Sequence, residues 1–158
     1  MTELPVEILE PFAGYLALGM YHDANDELEN LPTVLKAHPT VLSARLDLLI
    51  EMKRWEDGAI LGSSLFKLWP EECEHYVRTA FCLHEMKQTK EARKTLLGAP
   101  EALRDQAVYY YNMACYEAQL GNLAEARRYL DICFEMDKNY RAESLDDLDL
   151  APLWALVE

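Results

Sequence analysis

The sequence has no apolar run of the roughly 18 residues that a helical membrane span needs, so a membrane location is not expected. Positive charge is scarce as well: 15 Lys and Arg stand against 28 Asp and Glu, for a net charge of −13. That balance argues against nucleic-acid binding, which is dominated by phosphate and needs a basic surface. The six glycines are scattered, which leaves no glycine-rich loop to cradle a phosphate. Cysteines occur only at 73, 82, 115 and 133, inside apolar patterns rather than in a loop-rich framework. This fits buried, reduced thiols and a cytoplasmic setting. The first residues, Met1 to Pro5, contain no base and no apolar signal segment, so export by that route is not expected.

What the chain does have is length and apolar content. Its 158 residues suit one domain, 1–158, with a real core, and 51% hydrophobic against 27% charged residues excludes disorder. The acidity sits at the ends. Residues 1–38 carry seven acids and one base, residues 141–158 five acids and one base. Such charge permits basic partners and also serves solubility.

A period of 34 organises the interior. From Ala126, steps of 34 reach Ala92, Gly58 and Ala24. From Ala114 they reach Ala80, Leu46 and Phe12, and from Leu130 they reach Leu96, Gly62 and Leu28. The columns stay apolar or small over four copies without an insertion, and internal repetition of this length means stacked supersecondary units. Within the fourth copy, Tyr110, Met113, Ala114 and Leu120 keep helical spacing. After Gly121-Asn122, so do Leu123, Ala126, Leu130 and Cys133. Gly121 is expected to end the first helix in the left-handed conformation. Asn122 is expected to cap the second, with Glu125 as its capping-box partner. Ala114 and Ala126 then mark the close approach of the two helices. Pro11 should kink or restart the first helix of the first copy, and Pro32 to Pro39 reads as an irregular connector.

A helical hairpin of 34 residues with this pattern resembles the tetratricopeptide repeat. The fourth copy, 107–140, matches best, through Tyr110, Met113, Ala114, Gly121, Ala126, Leu130 and Cys133. It departs at Glu117, where the family favours tyrosine. The copies 5–38, 39–72 and 73–106 keep fewer signature residues, and the third has Lys87 at the turn glycine. The resemblance implies an all-α fold: an α-solenoid of four antiparallel helix hairpins plus a C-terminal capping helix within 141–158. Stacked repeats expose an apolar face at each end, and Leu150, Leu153, Trp154 and Leu156 are expected to cover the last one. Ser144 is expected to cap a short helix in that tail.

Candidate chemistry is thin. Cys73/His75 and Cys82/His84 are each two apart, about 200° around a helix, so neither pair chelates from one face. No metal, cofactor or catalytic residue is expected, and the protein is read as not an enzyme. Asp146-Asp147-Leu148-Asp149 lacks the glycine and closing glutamate of a calcium loop and reads as a solvated turn. Lys90, Arg93, Lys94, Arg127 and Arg128 read as a solvated helix face interleaved with Glu91 and Glu125 rather than an anionic docking stripe.

By the resemblance, first helices line a concave groove where partners dock. The family's groove columns fall on Asp47, Ile50 and Glu51, on Val77, Phe81, His84 and Glu85, and on Tyr111, Asn112, Cys115 and Gln119. Asn112 stands where the family often holds a ligand backbone. Phe81 and Tyr111 beside acids suit an apolar peptide with a basic residue. The family's lysine-rich carboxylate clamp is missing, since Ser43 and Asp47 occupy those columns. Two functions stay open: an adaptor or chaperone-like scaffold binding a protein or peptide segment, and a homo-oligomeric assembly module in which exposed Phe81 and Tyr111 join copies, as in a homodimer. Length, acidity and repeat number are similar to those of the repeat-built chaperones of bacterial secretion translocators, by analogy only.

Overall fold

The computed structural model describes residues 3–155, and within them the only regular structure is helical. A 3-10 turn, Val6–Leu9, stops short of Pro11, and α1 (Glu10–Ala17) begins with that proline in its first turn. There the missing N–H removes no helical bond, so the chain restarts where expected. α2 (Tyr21–Glu29) completes the first hairpin. The connector between Pro32 and Pro39 is more ordered than expected. It holds a four-residue helix, α3 (Thr33–Lys36), and Pro39 opens the next element.

Three hairpins follow: α4 (Pro39–Glu51) with α5 (Trp55–Leu68), α6 (Cys73–Glu85) with α7 (Thr89–Leu97), and α8 (Ala107–Gln119) with α9 (Leu123–Met136). First helices start at 39, 73 and 107 and second helices at 21, 55, 89 and 123, so the step of 34 is structural as well as compositional.

The turns repeat with the same step. Gly19, Lys53, Lys87 and Gly121 have φ of +72°, +58°, +66° and +86°. Each turn closes with two bonds of the Schellman type. At the last, the Asn122 amide donates to Glu117 O at 2.8 Å and the Gly121 amide to Ala118 O at 3.1 Å. At the third, Gln88 N reaches Leu83 O at 2.9 Å and Lys87 N reaches His84 O at 2.8 Å. This geometry corrects the expected capping box. Asn122 is the N-cap residue of α9, but its side chain makes no capping bond, and Glu125 pairs instead with Arg128 at 2.6 Å.

Small residues set how closely the helices approach. Ala24, Ala92, Ala114 and Ala126 are fully buried. A Cβ on Gly58 would press on Cys82 Sγ, and one on Gly62 would collide with Thr79 Oγ1, so α5 and α6 meet nearly backbone to side chain. The apolar interior forms two clusters. Phe12, Ala24, Leu28, Val41, Ala44 and Leu48 make the N-terminal one. A larger one is built on α6 to α9, around Leu96, Leu103, Met113 and Leu130.

A buried carboxylate is paired across the last two hairpins. Glu117, which replaces the expected tyrosine, is buried, and Arg93 of α7 reaches it at 2.5 Å. Arg93 is therefore no part of a solvated stripe. Arg127 and Arg128 do pair with acids on their own helix.

The tail caps the last hairpin. It comprises α10 (Tyr140–Asp146), a 3-10 turn (Leu148–Leu150) and α11 (Ala151–Trp154). Leu150 and Leu153 are buried in the larger cluster, and Trp154 packs against it. Leu156 lies outside the described residues. Ser144 does not cap a helix: it lies inside α10, buried, with its hydroxyl donating to Arg141 O at 2.7 Å.

Candidate binding groove

Helices α1, α4, α6 and α8 contribute one lined face, because each repeat places its first helix in the same orientation. Its open half is a cavity of about 310 Å³ lined by Leu16, Asp47, Ile50, Glu51, Val77, Arg78, Phe81 and Asn112. Six of the eleven residues expected in the groove meet there. The floor carries a charged network: Arg78 contacts Asp47 at 3.1 Å and Glu74 at 3.4 Å, and donates to Ser43 Oγ at 2.9 Å. Burial pushes the Asp47 carboxyl above its ordinary value, and Arg78 opposes that shift. Phe81 stays 38% exposed and meets Trp55 edge-on, 5.6 Å between centroids.

The other half of the groove is occupied by the chain's own tail. A cavity of about 260 Å³ remains between Phe81, His84, Tyr111, Asn112 and Cys115 on one side and Tyr140, Glu143, Asp147 and Asp149 on the other. The Tyr111 hydroxyl donates to Asp147 Oδ2 at 2.7 Å, and the Cys115 thiol lies 3.8 Å from the same oxygen. The Gln119 amide donates to Asp149 O at 2.8 Å. His84 Nε2 sits 3.0 Å from Asp149 Oδ2, while its Nδ1 contacts Thr89 Oγ1 at 2.9 Å.

Two expectations are overturned here. Tyr111 is not an exposed self-association residue: it is 5% exposed, beneath the tail, with its ring 4.9 Å from that of Tyr140. Asp147 and Asp149 are not a solvated turn, since both grip the groove. Glu85 lines neither half and stays on the surface at the end of α6.

Sequence reasoning missed Arg78 and the acidic tail residues. A signal for Arg78 existed: it stands 34 residues before Asn112, in the same column. None existed for Asp147, whose partner Tyr111 is 36 residues away and is brought near only by the fold of the tail.

The three buried thiols are not activated. Burial pushes Cys82 and Cys133 up to about 11 and raises Cys115 further, whereas an activated cysteine is shifted down.

The chain superposes on "MamA MSR-1 C2" with a TM-score of 0.68, at 16% identity, over 84% of this chain and 76% of that one. It superposes on "MamA RS-1 ArsTM double mutant" with a TM-score of 0.67, at 13% identity, over 84% and 75%. The likeness is one of fold. Both are helical structures of the tetratricopeptide-like repeat type, and this chain shares that architecture. No family model matches the sequence, and no curated protein matches it. Among the described residues, no helix is long and apolar enough to cross a membrane.

Proposed function

We propose that the chain is a non-catalytic interaction scaffold, working as one module, that binds an extended or helical segment of a partner protein in the open half of its groove. One observation carries this reading: the other half already holds a chain segment, gripped through side chains and a backbone carbonyl as a bound peptide would be. The open half continues the same surface. Leu16, Ile50, Val77 and Phe81 supply apolar contact, and Asp47 and Glu51 outnumber Arg78. The chemistry suits an apolar segment carrying a basic residue. Four free thiols, three of them buried, fit a reducing, cytoplasmic compartment.

The test is affinity capture with the wild type against Val77→Asp and Phe81→Glu, after all three show the same helical melt. Loss of a captured partner from both variants supports the groove. Equal capture by all three removes the groove assignment.

A second reading, assembly of copies, is favoured by a different observation. Val6, Leu18, Met20 and Val34 are exposed on the first hairpin and its flanks, where a second copy would find apolar surface. Mass in solution at several concentrations separates the readings, because a dimer that survives Val77→Asp and dissociates with Leu18→Glu leaves the groove free.

A further inference from the structure

The junction of tail and groove brings three metal-ligating side chains together. We propose that Cys115, Asp147 and Asp149 bind one divalent transition-metal ion of the Zn²⁺ class, with a water as the fourth ligand. The thiol sulfur and one carboxylate oxygen from each acid all lie within 4.8 Å of one another. Ligands about 2.0–2.3 Å from a tetrahedral metal sit about 3.3–3.8 Å apart, so the three donors are close to coordination distance before any ion binds. Cys115 Sγ and Asp147 Oδ2 are 3.8 Å apart already.

His84 stands behind the cluster as an outer partner of Asp149. Thr89 Oγ1 engages Nδ1 at 2.9 Å, and Nε2 faces Asp149. A histidine held in this way orients the ligating carboxylate. A second, independent observation concerns Tyr116. It lines the same cavity and is 2% exposed, yet its hydroxyl has no hydrogen-bond partner. A water held on the ion gives that hydroxyl the partner the protein does not provide.

The donor set selects the ion. The thiolate favours Zn²⁺ or Co²⁺ over Mg²⁺ and Ca²⁺, which take oxygen ligands. On binding, the Cys115 S–H bond breaks, the proton leaves to solvent, and the thiolate forms the metal–sulfur bond, with no change of oxidation state. The ion would tie α8 to the tail, so the tail's hold on the groove becomes metal-dependent.

The test uses the full chain, stripped with a chelator and titrated with ZnCl₂ against a chromophoric competitor, then with CoCl₂ in an absorbance scan. One ion per chain is expected, with a thiolate-to-cobalt band in the near ultraviolet and a rise in Tm on zinc addition. Cys115→Ser should abolish the band and weaken zinc at least tenfold. Asp147→Asn should also weaken zinc at least tenfold, and Cys73→Ser should change neither. If Cys115→Ser lowers the apo melting temperature, Asp149→Asn carries the same comparison, with the same tenfold loss expected. No stoichiometric ion in the wild type overturns the proposal. So does zinc affinity unchanged in both the cysteine and the aspartate variants, or a cobalt band that survives Cys115→Ser.

Discussion

Replacing Lys87 with glycine should stabilise the protein, although it deletes a charged side chain and adds the most flexible residue. Lys87 holds φ at +66°, a conformation that costs an L-residue with a Cβ about 1–2 kcal/mol. Glycine removes that strain but raises the entropy of the unfolded chain, which returns about 0.4–1 kcal/mol. The side chain is exposed, and both turn bonds run through main-chain atoms, so nothing else is lost. The net gain is about 0.5–1 kcal/mol by those two terms. In a chain of this size it should raise Tm by about 2–4 °C per kcal/mol. Lys53→Gly should match it, the two should add, and Gly121→Lys should lose a similar amount. Urea unfolding followed by far-ultraviolet circular dichroism reads the wild type and every variant, with the slope unchanged. An unchanged or lower midpoint for Lys87→Gly, together with a neutral Gly121→Lys, would refute the claim that the four turns share one conformational demand.

Three further outcomes follow from the packing. Ala126→Leu should cost about 1–3 kcal/mol by overpacking the contact with Ala114, read as a lower urea midpoint. Arg93→Ala strands the buried Glu117 carboxylate and should cost about 2 kcal/mol, below the full value for a buried pair because Arg93 is partly solvated; Arg93→Leu with Glu117→Leu should recover most of it. His75 is buried with Nδ1 unpartnered, and burial holds its pKa below the ordinary 6.5. The unfolded chain therefore takes up the proton first, so stability present above about pH 6.5 is lost as pH falls toward the folded-state value. His75→Leu should flatten that part of the pH–stability curve, and an equally steep loss between about pH 7 and 5.5 would count against it.

The helices and turns were legible in the sequence because they answer to local demands that recur. A small residue at 24, 58, 92 and 126 is needed wherever two helices close, and that need shows in any one copy. Lys53 and Lys87 were harder, since the left-handed turn is imposed on them by the neighbouring helices rather than chosen by the residue. Asn122 misled for a related reason. Its backbone, at φ −88° and ψ 68°, is set by the preceding Schellman turn and does not take the extended form that lets a capping side chain reach back. The open half of the groove could be written down from columns alone, down to Asp47 and Phe81. The tail could not. Asp147 and Asp149 have no periodic partner, and only the burial of Leu150 and Leu153 decides where their carboxylates fall.

The two apolar clusters give the groove a second meaning. Leu16 packs on the N-terminal cluster and Val77 on the C-terminal one, and both line the open half. A segment lying there bridges a seam between two separately built cores. Because stacked repeats open locally, anything bound across the seam acts as a splint between the two cores. Occupancy would then be written in the hydrogen exchange of amides beyond the contact, in α2, before it changed the shape of anything else.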